Sequence, residues 1–116
     1  MSKILLTYFV LCLPQFFLTT NSFDDKIRNG VCVVEFWAEW NKKNEVTFLG
    51  ELQGCKKYRL NIIEHSGIQK RFEIFSVPTI LIFKDGELKH RYCANIMMQL
   101  QTTQQELQDN IDKLNR

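Results

Sequence analysis

Val31-Cys32-Val33-Val34-Glu35-Phe36-Trp37, running on into Ala38-Glu39-Trp40-Asn41-Lys42-Lys43-Asn44, is the stretch that decides the fold. Its first seven residues form a near-continuous apolar run. That is the pattern of a strand covered on both faces, hence a central strand of a sheet. Glu35 interrupts the run at its middle, where an unpaired carboxylate would be costly to desolvate. The polar residues after Trp37 end the strand and open a loop.

Working outward, Ser22 to Gly30 begins with a capping residue, carries Asp24 and Asp25 in its first turn and stops at glycine. This predicts a short helix with Phe23 and Ile27 on one face. On the other side, Val46, Leu49 and Leu52, with Phe48, recur at helical spacing, so a helix is expected from about Lys42 to Gln53, ended by Gly54. Lys57 to Ile63 reads as a second strand and Ser66 to Phe72 as one or two helical turns. Thr79 to Lys84 is a third strand, Asp85-Gly86 a hairpin signal, and Glu87 to about Ala94 the returning strand. Thr103 with Glu106 makes a capping box ahead of Leu107, Ile111 and Leu114. The order α-β-α-β-α-β-β-α predicts an α/β domain. Its sheet is mixed, with a parallel pair and an antiparallel hairpin edge, flanked by helices on both faces.

The N-terminal segment differs in kind. Lys3 is the sole charge before Asp24, Ile4 to Leu18 is almost wholly apolar, and Thr20-Asn21-Ser22 follows. This order reads as an export signal over residues 1–22, cleaved or kept as an anchor, ahead of one domain over 23–116. The apolar stretch is short for a membrane span and contains Pro14. The expected location is therefore exported, periplasmic or secreted, with membrane contact only through this segment. A formal charge of +2 and the lack of a basic tract argue against nucleic acid. With Cys12 in the leader, the domain carries Cys32, Cys55 and Cys93. In an oxidising compartment that means one disulfide and a spare thiol, or three buried thiols. No cysteine pair has metal-ligand spacing, and His65 and His90 stand alone, so neither a metal nor another cofactor is expected.

Several strings, in order, resemble thioredoxin: Val34 to Trp40, Arg59-Leu60-Asn61-Ile62, Ser76-Val77-Pro78-Thr79 and Phe83 to Glu87. The similarity runs from about Phe23 to the C-terminus and implies a thioredoxin fold. It also implies a buried Glu35–Arg59 ion pair across neighbouring strands and a cis Val77–Pro78 bond whose backbone meets an extended peptide by strand addition. Trp40 is placed at the lip of that groove. Cys93 takes the place of a small residue bordering it.

The departures matter most. The family's Cys-x-x-Cys should follow Trp40, and Asn41-Lys42-Lys43-Asn44 stands there instead. Disulfide exchange needs a thiolate to attack and a second thiol to resolve. Asparagine supplies neither, although Asn41 is well suited to cap a helix. The family's usual first strand is missing unless the leader supplies it. Asn95 to Leu100 is extra length: alternation puts Tyr92, Ala94, Ile96, Met98 and Leu100 on one side, which favours a prolonged last strand over the core with Met97 outward, the alternative being an exposed, adaptable partner surface. The expectation is a non-catalytic domain binding a protein or extended peptide through Trp40, Val77, Pro78 and Cys93. The alternative is an atypical thiol–disulfide oxidoreductase using Cys93 or a Cys32/Cys55 pair.

Overall fold

The computed structural model describes residues 22–116, so the leader expected over residues 1–22 lies, except for Ser22, outside the described residues. Helix α1 (Phe23–Ile27) leads into strand β1 (Val31–Trp37), and β2 (Lys56–Asn61), α2 (Ser66–Arg71), β3 (Thr79–Lys84), β4 (Glu87–Cys93) and α3 (Gln104–Leu114) follow. The sheet order is β2-β1-β3-β4. β1 runs parallel to β2, with Glu35 opposite Arg59, and antiparallel to β3, with Phe36 opposite Thr79. β3 and β4 form the hairpin, bringing Cys93 opposite Thr79.

Alternation along the strands sends side chains to two cores. On one face Cys32, Val34, Phe36, Leu81 and Phe83 pack with Phe23, Ile27 and Ile68 of the short helices. On the other, Val31, Val33, Ile80 and Ile82 pack with Leu107 and Ile111 of α3. Each fully buried large apolar side chain contributes about 1.5–3 kcal/mol, which is what holds the short helices down. Phe23, Phe72 and Phe83 meet with ring centroids 5.5–5.9 Å apart.

Local chemistry sets the turns. Asp85 (φ 50°) and Gly86 (φ 87°) both take the left-handed conformation that a two-residue hairpin of this type needs. Asp85 also ties the hairpin to the start of β1, since its carboxylate accepts the Gly30 N–H at 2.7 Å. Thr103 caps α3 by accepting the Glu106 N–H at 3.1 Å, while the Glu106 carboxylate accepts from the Thr102 hydroxyl.

The helix expected over Lys42–Gln53 does not form. Two 3₁₀ segments, Glu39–Asn44 and Leu49–Glu51, stand in its place. The reason is long-range. The Val46 N–H is given to the Glu35 carboxylate at 2.8 Å, and the Val46 carbonyl accepts from Arg59 at 2.5 Å. Neither group is left for the i to i−4 ladder of an α-helix. Val46, Leu49 and Leu52 are nevertheless buried, as their spacing requires. The prolonged last strand is also absent: the chain turns at 95–99 and returns to pair Leu100 with Ala94.

Candidate functional site

The end of β1, the start of β3 and the end of β4 lie at one end of the sheet, because β3 is antiparallel to both neighbours. Trp40, Asn41, Val77, Pro78 and Cys93 are all placed at this end. Trp40 is 60% exposed, while Val77 and Pro78 are buried and their peptide bond is cis. The Ser76 hydroxyl reaches the Ala94 carbonyl at 3.5 Å and the Thr79 hydroxyl donates to the Ser76 carbonyl at 2.7 Å, fixing the loop against the end of β4.

Asn41 is not the helix cap that its sequence position suggests. The cap position of its 3₁₀ segment is Ala38, and Asn41 lies inside the segment with φ −118° and ψ 26°. Only 6% exposed, Asn41 donates its amide to the Val77 carbonyl at 2.9 Å and to the Met98 carbonyl at 3.1 Å. Its own oxygen accepts the Asn44 amide at 2.9 Å. The two asparagines therefore fill the exchange position with a satisfied polar network that links three loops.

The three cysteines of the described domain are all free and differ sharply in setting. Cys32 is in the core with Phe23 and Phe36, whereas Cys55 packs on the opposite face of the sheet. They do not form the pair that the sequence allowed. Burial pushes the Cys32 thiol up to about 12, against the pull of nearby Lys56, so it is held as an unreactive thiol. Burial raises Cys55 as well, opposed by Lys57. Cys93 alone among them is exposed. It opens on a shallow depression of about 300 Å³ lined by Arg91, Tyr92, Gln101, Thr102 and Glu106.

Behind this site, Arg59 Nε lies 2.8 Å from Glu35 Oε1. Burial pushes the Glu35 carboxyl up, and the Val46 N–H and the Arg59 guanidinium pull it back in part. Among the described residues no group of three or more His, Cys, Asp or Glu side chains is placed to hold a metal.

Ile63, Phe75, Ile96 and Met97 are exposed in the segments that follow β2, precede β3 and follow β4. Alternation assigned Ile96 to the core. The structure leaves it 96% exposed at the tip of the 95–99 turn.

A mixed β2-β1-β3-β4 sheet with helices on both faces, and a cis X–Pro loop beside the end of its central strand, defines a thioredoxin-fold protein. The thioredoxin family model matches residues 14–113, beginning inside the segment assigned above to the leader. The chain belongs to the thioredoxin family. It is 39% identical over 77 residues to a thioredoxin of Staphylococcus saprophyticus, covering 60% of this chain and 74% of that one. Over the same extent it is 32% identical to a thioredoxin of Staphylococcus aureus. A mutant thioredoxin from Halobacterium salinarum superposes with a TM-score of 0.72 at 20% identity, covering 87% of this chain and 90% of that one.

These relatives overturn the expectation of a non-catalytic binding domain. They carry the name of a redox protein, and the redox alternative is the one they favour.

Proposed function

We propose that this chain is an atypical thiol–disulfide oxidoreductase that works through the single thiol of Cys93. The observation that carries the reading is the exposure of Cys93, which pairs with Thr79 directly after the Val77–Pro78 bond, with the other two domain cysteines buried or partly buried. The names of the relatives support the class. Asn41 and Asn44 exclude dithiol exchange at the family's usual place, since neither can form or resolve a mixed disulfide.

The chemistry balances with a small thiol as co-reactant. The Cys93 thiolate attacks one sulfur of a polypeptide disulfide and expels the other as a thiolate. A small thiol then attacks the Cys93 sulfur, releasing the second substrate thiol. A further small thiol regenerates Cys93 and leaves as the oxidised small disulfide. The partner is a polypeptide in extended form, and the working compartment is outside the cytoplasm. The apolar Ile4–Leu18 segment supports that location.

The test is reduction of insulin by glutathione with and without the full chain. A rate above glutathione alone, with a mixed disulfide mapped to Cys93 and both lost in Cys93→Ser, is the expected result. Equal rates for the native chain and Cys93→Ser sink the reading.

A further inference from the structure

We propose that Asn41 is a latch: its amide holds the 95–99 turn against the Val77–Pro78 loop and keeps the Val77 carbonyl closed to an incoming strand.

The turn is closed on itself. The Asn95 carboxamide oxygen accepts the N–H groups of Met97 at 2.9 Å and Gln99 at 3.1 Å. The Asn95 N–H donates to the Gln99 carbonyl at 2.9 Å, and Met98 N–H to the Asn95 carbonyl at 3.0 Å. Among the described hydrogen bonds, two leave residues 95–99: a long one from the neighbouring Gln101 side chain to the Gln99 carbonyl at 3.4 Å, and the one that reaches a distant element, Asn41 to the Met98 carbonyl. Without that bond the turn is tied to the domain through its base, where Ala94 pairs with Leu100, and its own hydrogen bonds are left to open and close in solvent.

What burial holds the turn down comes from half-buried Asn95 and Met98. Ile96 and Met97 at the tip are already exposed, so lifting the turn uncovers no further surface from them. Met98 sits at φ 60°, a left-handed conformation that costs energy for a side chain other than glycine. Release of the Asn41 bond frees Met98 to relax.

The other amide proton of Asn41 occupies Val77. Strand addition pairs an added peptide with backbone N–H and C=O groups, and here the Val77 carbonyl already has its partner within the chain. One side chain thus closes the carbonyl and anchors the turn beside it. Because both bonds come from a single amide, losing the side chain releases both at once. A polypeptide has to displace the latch, whereas a small disulfide needs no strand pairing. This last consequence rests on the Cys93 reading; the latch itself does not.

Amide hydrogen exchange on the full chain decides the latch. In Asn41→Ala the N–H groups of Asn95 and Met98 should exchange about 5–30-fold faster, the range expected for losing one or two hydrogen bonds. Val33, Val34 and Ile82 in the sheet should keep their protection. Unchanged turn protection overturns the latch, and so does uniform loss across the sheet, which would make Asn41 a general stabiliser. If Asn41→Ala does not fold, the native chain carries the test. The Asn41 side-chain amide should exchange far more slowly than that of exposed Asn29, and equal rates overturn the proposal. For the consequence, the ratio of the exchange rate with insulin to that with Ellman's reagent should rise about 5–30-fold in Asn41→Ala. An unchanged ratio overturns the gating. A native chain that exchanges with neither substrate overturns the Cys93 reading instead, and turn protection alone then judges the latch.

Discussion

Arg59 on β2 and Glu35 on β1 stand opposite each other with 2.8 Å between Nε and Oε1, and between them they take both backbone polar groups of Val46. The pair is therefore more than an ion pair between strands. It pins the loop after β1 to the sheet and directs the segment that follows into 3₁₀ turns instead of an α-helix.

Replacing Arg59 by Met should lower stability by about 3–5 kcal/mol, because the buried Glu35 carboxylate loses its cationic partner and the Val46 carbonyl its donor. Urea unfolding of the two proteins measures this. A loss near zero would mean that the carboxylate is satisfied elsewhere and that the pair does not pin the loop.

The raised Glu35 pKa gives a pH dependence with a definite sign. The folded state holds the proton more tightly than the unfolded chain. The contribution of Glu35 is therefore full below the ordinary carboxyl value of 4.5 and is lost as pH rises through the raised value. Melting temperatures of the native chain and Glu35→Gln across that range should diverge, the native chain losing ground as pH rises. The opposite slope would show that the Arg59 guanidinium outweighs burial.

Thiol labelling followed by peptide mapping should rank the domain cysteines. Cys93 should react first, Cys55 more slowly, and Cys32 only once the chain unfolds, since its thiol is pushed up to about 12 inside the core. Labelling of Cys32 in the folded chain at a rate like that of Cys93 would contradict the packing.

The double change Asn41→Cys with Asn44→Cys places two thiols where the amides now meet at 2.9 Å. That variant should gain dithiol reduction of insulin that survives Cys93→Ser. Its absence, in a folded variant with both thiols free, would show that the loop no longer presents a competent exchange site.

Local periodicity made much of the fold legible. The apolar run at Val31–Trp37, the Thr79–Lys84 strand, the Asp85-Gly86 turn and the Thr103 cap rest on contacts between near neighbours in sequence or on simple alternation. The same signal failed at Ile96, because alternation cannot see a chain that reverses at Asn95 and leaves the tip in solvent. The strings around Trp40 and Pro78 pointed to the candidate site by resemblance, and the loss of both exchange cysteines was plain from Asn41 and Asn44.

By itself the sequence determined where the four strands lie, which of their faces are apolar, and that no dithiol stands after Trp40; it did not fix where the last strand ends. Tertiary structure alone decided what the polar residues do. Val46 is taken out of a helix by partners 11 and 13 positions away, and Asn41 bonds carbonyls 36 and 57 positions away. Buried polar groups must find partners wherever the fold brings them, and those partners carry no periodic trace along the chain.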